Sequence, residues 1–204
     1  DGYTFIVSDG SMLSITPQIN KSAQYTAGKE LMAVSLIARS PLFIVAHPKT
    51  GVNTFQEFVT LVKSKPGEFT YGSSGIGSTH HLTMEALKHA LSLDVRHVPF
   101  RGSGQSTPAL VGGQVDVMFI AVGPALAHVQ AGRLVALASG GEARHPLLPH
   151  VPTLSETYPG LRAGTWFGLF APAATPPGVL EALGAEVAKV LADPRVRSDL
   201  AAQG

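Results

Sequence analysis

Short runs of apolar, mostly β-branched or aromatic residues alternate along this chain with segments whose apolar positions recur every three or four residues. The runs predict strands at residues 3–8, 42–46, 69–72, 95–100, 115–120, 134–139 and 165–171. Their apolar residues are near-continuous rather than alternating, which suits strands covered on both faces. Between them the helical period is clear. Thr54 stands as a cap before Phe55, Phe58, Val59 and Val62, an i, i+3, i+4, i+7 stripe. A second helix is expected over residues 82–93, marked by Leu87, Ala90 and Leu91. Pro108 suits the first turn of a third, closed by Gly112-Gly113, and Pro124 opens a fourth that ends at Gly132. A long helix over residues 177–192 should bury Val179, Leu180, Leu183, Val187, Val190 and Leu191, with a shorter one after Pro194. Strand and helix in regular alternation predict an α/β protein with a mainly parallel sheet.

Two extended stretches, residues 40–48 and 164–172, are bounded by prolines and look like connections rather than ordinary strands. A complete set of βα units lies between them. The expectation is a discontinuous first domain, residues 1–43 and 165–204, carrying an inserted second domain, residues 44–164.

Composition narrows the function. The chain has 204 residues and a net charge of +1, and only 14% of its residues are charged, against roughly 25% in an average soluble domain. Lysine and arginine form no cluster, so a nucleic-acid partner is not expected. Cysteine is absent, which excludes disulfides, a thiolate nucleophile and a cysteine-ligated zinc site. No apolar run approaches the roughly 18 residues of a membrane-spanning helix. The chain opens on Asp1-Gly2-Tyr3-Thr4-Phe5, already a turn and a strand with no secretory signal, as expected of a processed or truncated product.

The chemistry concentrates in Tyr71-Gly72-Ser73-Ser74-Gly75-Ile76-Gly77-Ser78-Thr79-His80-His81, which leaves a strand and opens a helix. Such a turn gathers free backbone N–H groups at the positive end of a helix dipole and binds anions without a cationic side chain. Three phosphate and acyl motifs fail here. Ser78 stands where the P-loop needs lysine, His80 where the dinucleotide fingerprint needs its third glycine, and Ile76 where a nucleophile elbow needs glycine. A carboxylate needs only a few amide and hydroxyl donors, and Ser73, Ser74, Ser78 and Thr79 offer hydroxyls. The bland alternative is that these residues only cap the next helix.

His81, Glu85 and His89 share one helical face, but two histidines eight residues apart lie about 12 Å apart along the axis, too far for one metal ion. Surface or capping roles suit them better. Arg101-Gly102-Ser103-Gly104 reads either as a second anion-contacting turn or as a polar turn. Asp116 reads as a hydrogen-bonding residue at a strand start, and Trp166 as core. Paired carboxylates and a Ser/His/Asp set are both missing.

Together, several stretches resemble the substrate-binding proteins of tripartite tricarboxylate transporters, the Bug (Bordetella uptake gene) or TctC-like group. They are Asp1-Gly2-Tyr3-Thr4, Val34-Ser35-Leu36-Ile37, the loop above with His81-Leu82, and His97-Val98-Pro99-Phe100-Arg101-Gly102. Leu110-Val111-Gly112-Gly113-Gln114-Val115-Asp116-Val117-Met118-Phe119, His150-Val151-Pro152-Thr153 and Trp166-Phe167-Gly168-Leu169 follow in the family's order. The resemblance implies a type II periplasmic-binding-protein fold, two α/β domains joined by two crossover strands, here with N- and C-terminal parts truncated. It implies a non-enzymatic, monomeric, periplasmic Venus-flytrap protein without cofactor or metal. Such a protein captures a small carboxylate in an interdomain cleft for the membrane permease subunits. By the same analogy Ser11, Ser73, Ser74, Gly75, Gly77, Ser78, Thr79, Arg101, Gly102 and Ala121 contact the ligand. The family commonly has an aspartate where this chain has Ile120-Ala121-Val122, so an acid without an amino group is expected. A sensor feeding a membrane signalling partner, or an enzyme using the glycine-rich loop for anion chemistry, are the alternatives.

Overall fold

The computed structural model describes residues 2–20, 25–26 and 28–203; Asp1 and Gly204, at the ends of the expected first domain, lie outside the described residues. The chain divides into two compact units, one running up to Arg39 and resuming over Thr165–Gln203, the other Ser40–Gly164.

The second unit is a sheet covered on both sides. In strand order it runs β6 (Val135–Ser139), β2 (Leu31–Ala46), β5 (Val117–Ala121), β3 (Thr70–Ser73), β4 (Arg96–Pro99). Strand periodicity sorts the core. Leu42, Ile44, Ala46, Val117 and Phe119 face α2 (Phe55–Ser64) and α3 (Thr79–Leu91). Phe43, Val45, Met118 and Ile120 face α4 (Ser103–Val111) and α5 (Val122–Gln130). Thr54 caps α2 by accepting from the Glu57 amide, and Phe55, Phe58, Val59 and Val62 are all buried. Each such side chain stabilises the fold by about 1.5–3 kcal/mol relative to exposure.

The sheet is mixed, not mainly parallel. β3 is parallel to β4 and β5, but β2 is antiparallel to both β5 and β6. β2 delivers the chain to the end of the sheet where β3 and β5 begin (Ala46 pairs with Val117), so it runs against its neighbours. It is also much longer than its apolar run, because extended backbone continues from Leu31 through Pro41. Before Pro41 the strand belongs to the first unit and lies beside β7; after it, β5 and β6 take over. A proline lacking its N–H is tolerated where a strand changes partners.

Two helix starts differ from the periodicity. α3 begins at Thr79, three residues before its first leucine, because Ser78 caps it. α4 begins at Ser103, which leaves Pro108 inside the helix rather than in its first turn. Gly102 sets that start with φ +90°, a left-handed conformation that glycine adopts freely.

In the first unit β1 (Ile6–Asp9) pairs antiparallel with β7 (Gly164–Pro172). α7 (Pro177–Ala192) and α8 (Pro194–Gln203) follow. No residue of α7 is fully buried: Val179, Leu180, Leu183, Val187 and Leu191 are half-covered and Val190 is exposed. Among the described residues only β1, β7 and the first part of β2 are strands of this unit, too little surface to cover the expected stripe. Trp166, half-buried in this unit, lies so close to Gly10 that a Cβ there would come within 2.6 Å of the indole nitrogen.

Candidate functional site

The parallel strands β3, β4 and β5 are each followed, across a short turn or none, by a helix, so the N-termini of α3, α4 and α5 all open at one end of the second unit's sheet. Each terminus leaves backbone donors unbonded and carries roughly half a positive charge. In open α/β sheets this carboxyl end of the strands is where ligands sit.

The loop between β3 and α3 is wired internally. Ser73 is fully buried; its hydroxyl accepts from the Gly75 amide at 3.1 Å and lies 2.7 Å from His97 Nε2. Ser74 Oγ meets His80 Nδ1 at 2.8 Å. Ser78 Oγ donates to the Gly75 carbonyl at 2.7 Å and accepts from the His81 amide at 3.3 Å, so its one proton is committed. The Gly77 amide donates to His81 Nδ1 at 3.1 Å. Gly75 (φ +133°) and Gly77 (φ +79°) hold conformations that a side chain would strain. Among the described residues the amides of Ile76 and Thr79 and the Thr79 hydroxyl have no hydrogen-bond partner.

The second turn is fastened to the first. The Phe100 amide donates to the Ser73 carbonyl and the Gly102 amide to the Ser74 carbonyl, both at 3.1 Å. Arg101 is exposed; its amide is bonded to Gln105 Oε1, and its guanidinium joins no ion pair among the described residues. Ala121 ends β5 and leads into α5 without a side-chain cap. Nine of the ten expected contact residues therefore gather at one end of this sheet. Ser11 belongs to the other unit, where its amide and hydroxyl both donate to Asp9 Oδ1, at 3.0 and 2.7 Å.

Beneath the loop lies a cluster that spacing along the chain does not reveal. The Tyr71 and His97 rings, neighbours in the β3–β4 register, stack at 4.6 Å, and His97 stacks on His81 at 4.2 Å. Tyr71 Oη donates to Glu85 Oε1 at 2.5 Å, and Lys88 pairs with the same oxygen at 2.7 Å. His81 is thus half-buried and structural in reach, not a surface residue. Burial, then the charges of Glu85, push the Tyr71 hydroxyl far above its ordinary range. Burial alone would raise Glu85, but hydrogen bonds from Lys88 and Tyr71 outweigh it and hold the carboxyl below its ordinary value. Burial and the neighbouring His81 lower His97. At the opposite end of the sheet, Asp116 accepts from the Thr70 amide and hydroxyl, each at 2.7 Å, and pairs with Lys49 at 3.0 Å. No group of three metal-binding side chains occurs among the described residues.

The fold recurs in known proteins. Protein BugT of Bordetella pertussis is 31% identical over 206 residues, an overlap of 100% of this chain and 63% of BugT. An R. palustris protein solved with adipate superposes with a TM-score of 0.93 at 28% identity, over 100% of this chain and 69% of the other. MatC from Rhodopseudomonas palustris, solved with bound malate, gives 0.88 at 31% identity, over 100% and 70%. This chain therefore spans under two thirds of the length of BugT. The model of the tripartite tricarboxylate transporter family receptor matches residues 1–204, and with the fold and identities above it establishes that the chain belongs to that family.

Proposed function

We propose that this protein is a periplasmic solute-binding receptor that captures a small carboxylate and delivers it to the permease of a tripartite tricarboxylate-type transporter, without chemical turnover. The observation that carries the reading is the convergence of three helix N-termini, with free amides at Ile76 and Thr79, at one end of β3, β4 and β5. The Thr79 hydroxyl and Arg101 add donors, while Ser73 and Ser78 frame the loop from behind. The adipate and malate found in the two R. palustris proteins are acids of the class that such donors hold.

Charge placement refines the ligand. Residues 73–79, 99–106 and 119–126, which flank the three helix starts, contain one arginine and no aspartate or glutamate. Glu68, Asp94 and Asp116 precede β3, β4 and β5 and so lie at the far end of the strands. An ammonium about 8 Å from the equivalent of one positive charge costs roughly 2 kcal/mol at an effective dielectric near 20. Acids without an amino group are therefore preferred, by about thirtyfold for a pair such as malate and aspartate. Calorimetric titration with adipate, malate, citrate, aspartate and glutamate tests this. Saturable binding of one of the first three, with no product formed, is expected. Tight binding of aspartate or glutamate alone would overturn the ligand class.

A further inference from the structure

The glycine-rich loop rests on two histidines from different elements, each with one ring nitrogen against it. His81, on the first turn of α3, accepts the Gly77 amide at Nδ1, so the ring is neutral with its proton on Nε2. His97, on β4, places Nε2 2.7 Å from Ser73 Oγ; that hydroxyl donates to the Gly75 carbonyl at 3.2 Å and accepts the Gly75 amide, so His97 Nε2 is the donor. The rings lie face to face, 4.2 Å between centroids with 20° between planes. A proton on His81 Nδ1 removes the acceptor that the Gly77 amide has among the described residues and sets N–H against N–H. Two charged rings at this separation repel strongly, so the pair cannot take up two protons and keep its geometry.

The groups facing the pair come from every element packed on it. β3 contributes Tyr71, stacked on His97, and the buried Ser73. α3 contributes Glu85 and Lys88, joined to each other and tied to the Tyr71 hydroxyl or ring. His80, bonded to Ser74, stands on the loop's other flank. Glu85 favours a proton on His97, but burial and the neighbouring His81 outweigh it and keep the ring uncharged to lower pH than an ordinary histidine.

We propose that His81 and His97 are positioning residues of the anion loop. His81 pins Gly77 through an unprotonated Nδ1 and His97 pins Ser73 by donating from Nε2, which keeps the Ile76 and Thr79 amides set for the ligand, and a proton on His81 Nδ1 loosens the loop and weakens binding. The second half rests on the carboxylate reading above; the first does not.

Two arms on the whole 204-residue chain separate the two. In the first, nitrogen-15 spectra follow the Gly77 amide and the imidazole nitrogens from pH 8 to pH 5. His81 Nδ1 should read as unprotonated at pH 8, and the Gly77 amide should move with the same midpoint as the rings. A Gly77 amide indifferent to the histidines overturns the proposal. In the second, adipate and malate affinities are measured against pH for the wild type and for His81→Asn/His97→Gln. Those amides can place an oxygen or nitrogen where Nδ1 and Nε2 were but do not titrate. The wild-type to double-variant affinity ratio should be near one at pH 7.5 and fall about tenfold by pH 5, the double variant absorbing any titration of the acids themselves. His81→Leu, which fills space without an acceptor, should bind about tenfold more weakly than wild type at pH 7.5, the gap closing toward pH 5. A ratio flat with pH, or undiminished binding by His81→Leu, overturns the positioning role. If neither acid binds the wild type while Gly77 tracks the rings, the ligand reading fails and the loop support stands.

Discussion

Ser78 offers the cleanest separation of a helix cap from an anion site, because one residue can be changed in two ways with opposite consequences. Its hydroxyl accepts from the His81 amide and donates to the Gly75 carbonyl. Ser78→Ala removes both bonds. The lost cap costs about 1 kcal/mol. The lost bond to the Gly75 carbonyl costs somewhat less, because that oxygen keeps the Ser78 amide and the Ser73 hydroxyl; the two together cost about 1–2 kcal/mol. For a chain of this length that corresponds to roughly 3–6 °C in Tm. Ser78→Asp should cost far less, because aspartate caps as well as serine and its charge suits the helix N-terminus by about 0.3–1 kcal/mol. Yet that charge would sit about 4–5 Å from a carboxylate held by the Thr79 amide, a repulsion of roughly 3–4 kcal/mol at an effective dielectric of 20. Affinity should then fall by a factor on the order of several hundred. The assay is thermal unfolding followed by circular dichroism, beside calorimetric titration with adipate. The expected pattern is a less stable Ser78→Ala that binds within a few-fold of wild type, and a near-native Ser78→Asp that does not bind measurably. Wild-type affinity in Ser78→Asp would refute an anion at this helix start. Lost binding in Ser78→Ala at unchanged Tm would make the hydroxyl a ligand donor rather than a frame.

Asp116→Asn should lower stability at pH 7 by on the order of 1–2 kcal/mol, because the Lys49 pair is lost and the bonds to Thr70 weaken. Burial opposes ionisation of Asp116, but the Thr70 bonds and Lys49 outweigh it and hold the folded pKa below the ordinary 3.8. The stabilisation is therefore present above the unfolded pKa and lost as pH falls through the folded one; denaturant melts from about pH 6 to pH 3 should show the two proteins converging, and parallel curves would assign the stability elsewhere. Gly140→Ala should destabilise by about 1–3 kcal/mol or more, since a Cβ there meets the Ala163 backbone oxygen at 2.1 Å and nitrogen at 2.5 Å. An unchanged urea midpoint would mean that this backbone approach relaxes freely.

What the sequence makes legible follows from which forces act locally. α2 is readable because its cap, its stripe and its buried face are all set within ten residues. The start of α3 is not marked by hydrophobic period, because Thr79, His80 and His81 are polar and the cap, not burial, begins the helix. β2 hides behind Pro41, and the antiparallel sense of that strand depends on where the chain enters the sheet, which no window of residues records. The glycine-rich turn stands out by composition, whereas its support does not. Tyr71 meets His97 only through the register of two parallel strands, and His81 joins them only once α3 has folded back over β3. The serines illustrate the same limit. Residue type shows that a hydroxyl is present, but only the fold shows that Ser73 and Ser78 have already spent their protons or lone pairs on the loop itself.

Those commitments bear on how such a loop can bind an anion strongly and still let it go. A lysine or arginine within the loop itself would bring a full charge and a long, entropically costly side chain, and would leave that charge unmatched when the anion departs; Arg101, on the neighbouring turn, is exposed and keeps its water. Amides at helix starts bring only partial charge, and water can serve them when the ligand leaves. The cost of this arrangement is geometric: the donors act together only while the backbone is held in an uncommon shape, and Gly75 and Gly77 admit that shape without enforcing it. The enforcement comes from Ser73, Ser78, His81 and His97, none of which needs to touch the ligand. Affinity here is then a property of the supporting bonds as well as of the contacting groups: where support is shared, as at Ser78, one lost bond moves binding only a few-fold, whereas the Gly77 amide's bond to His81 should move it about tenfold.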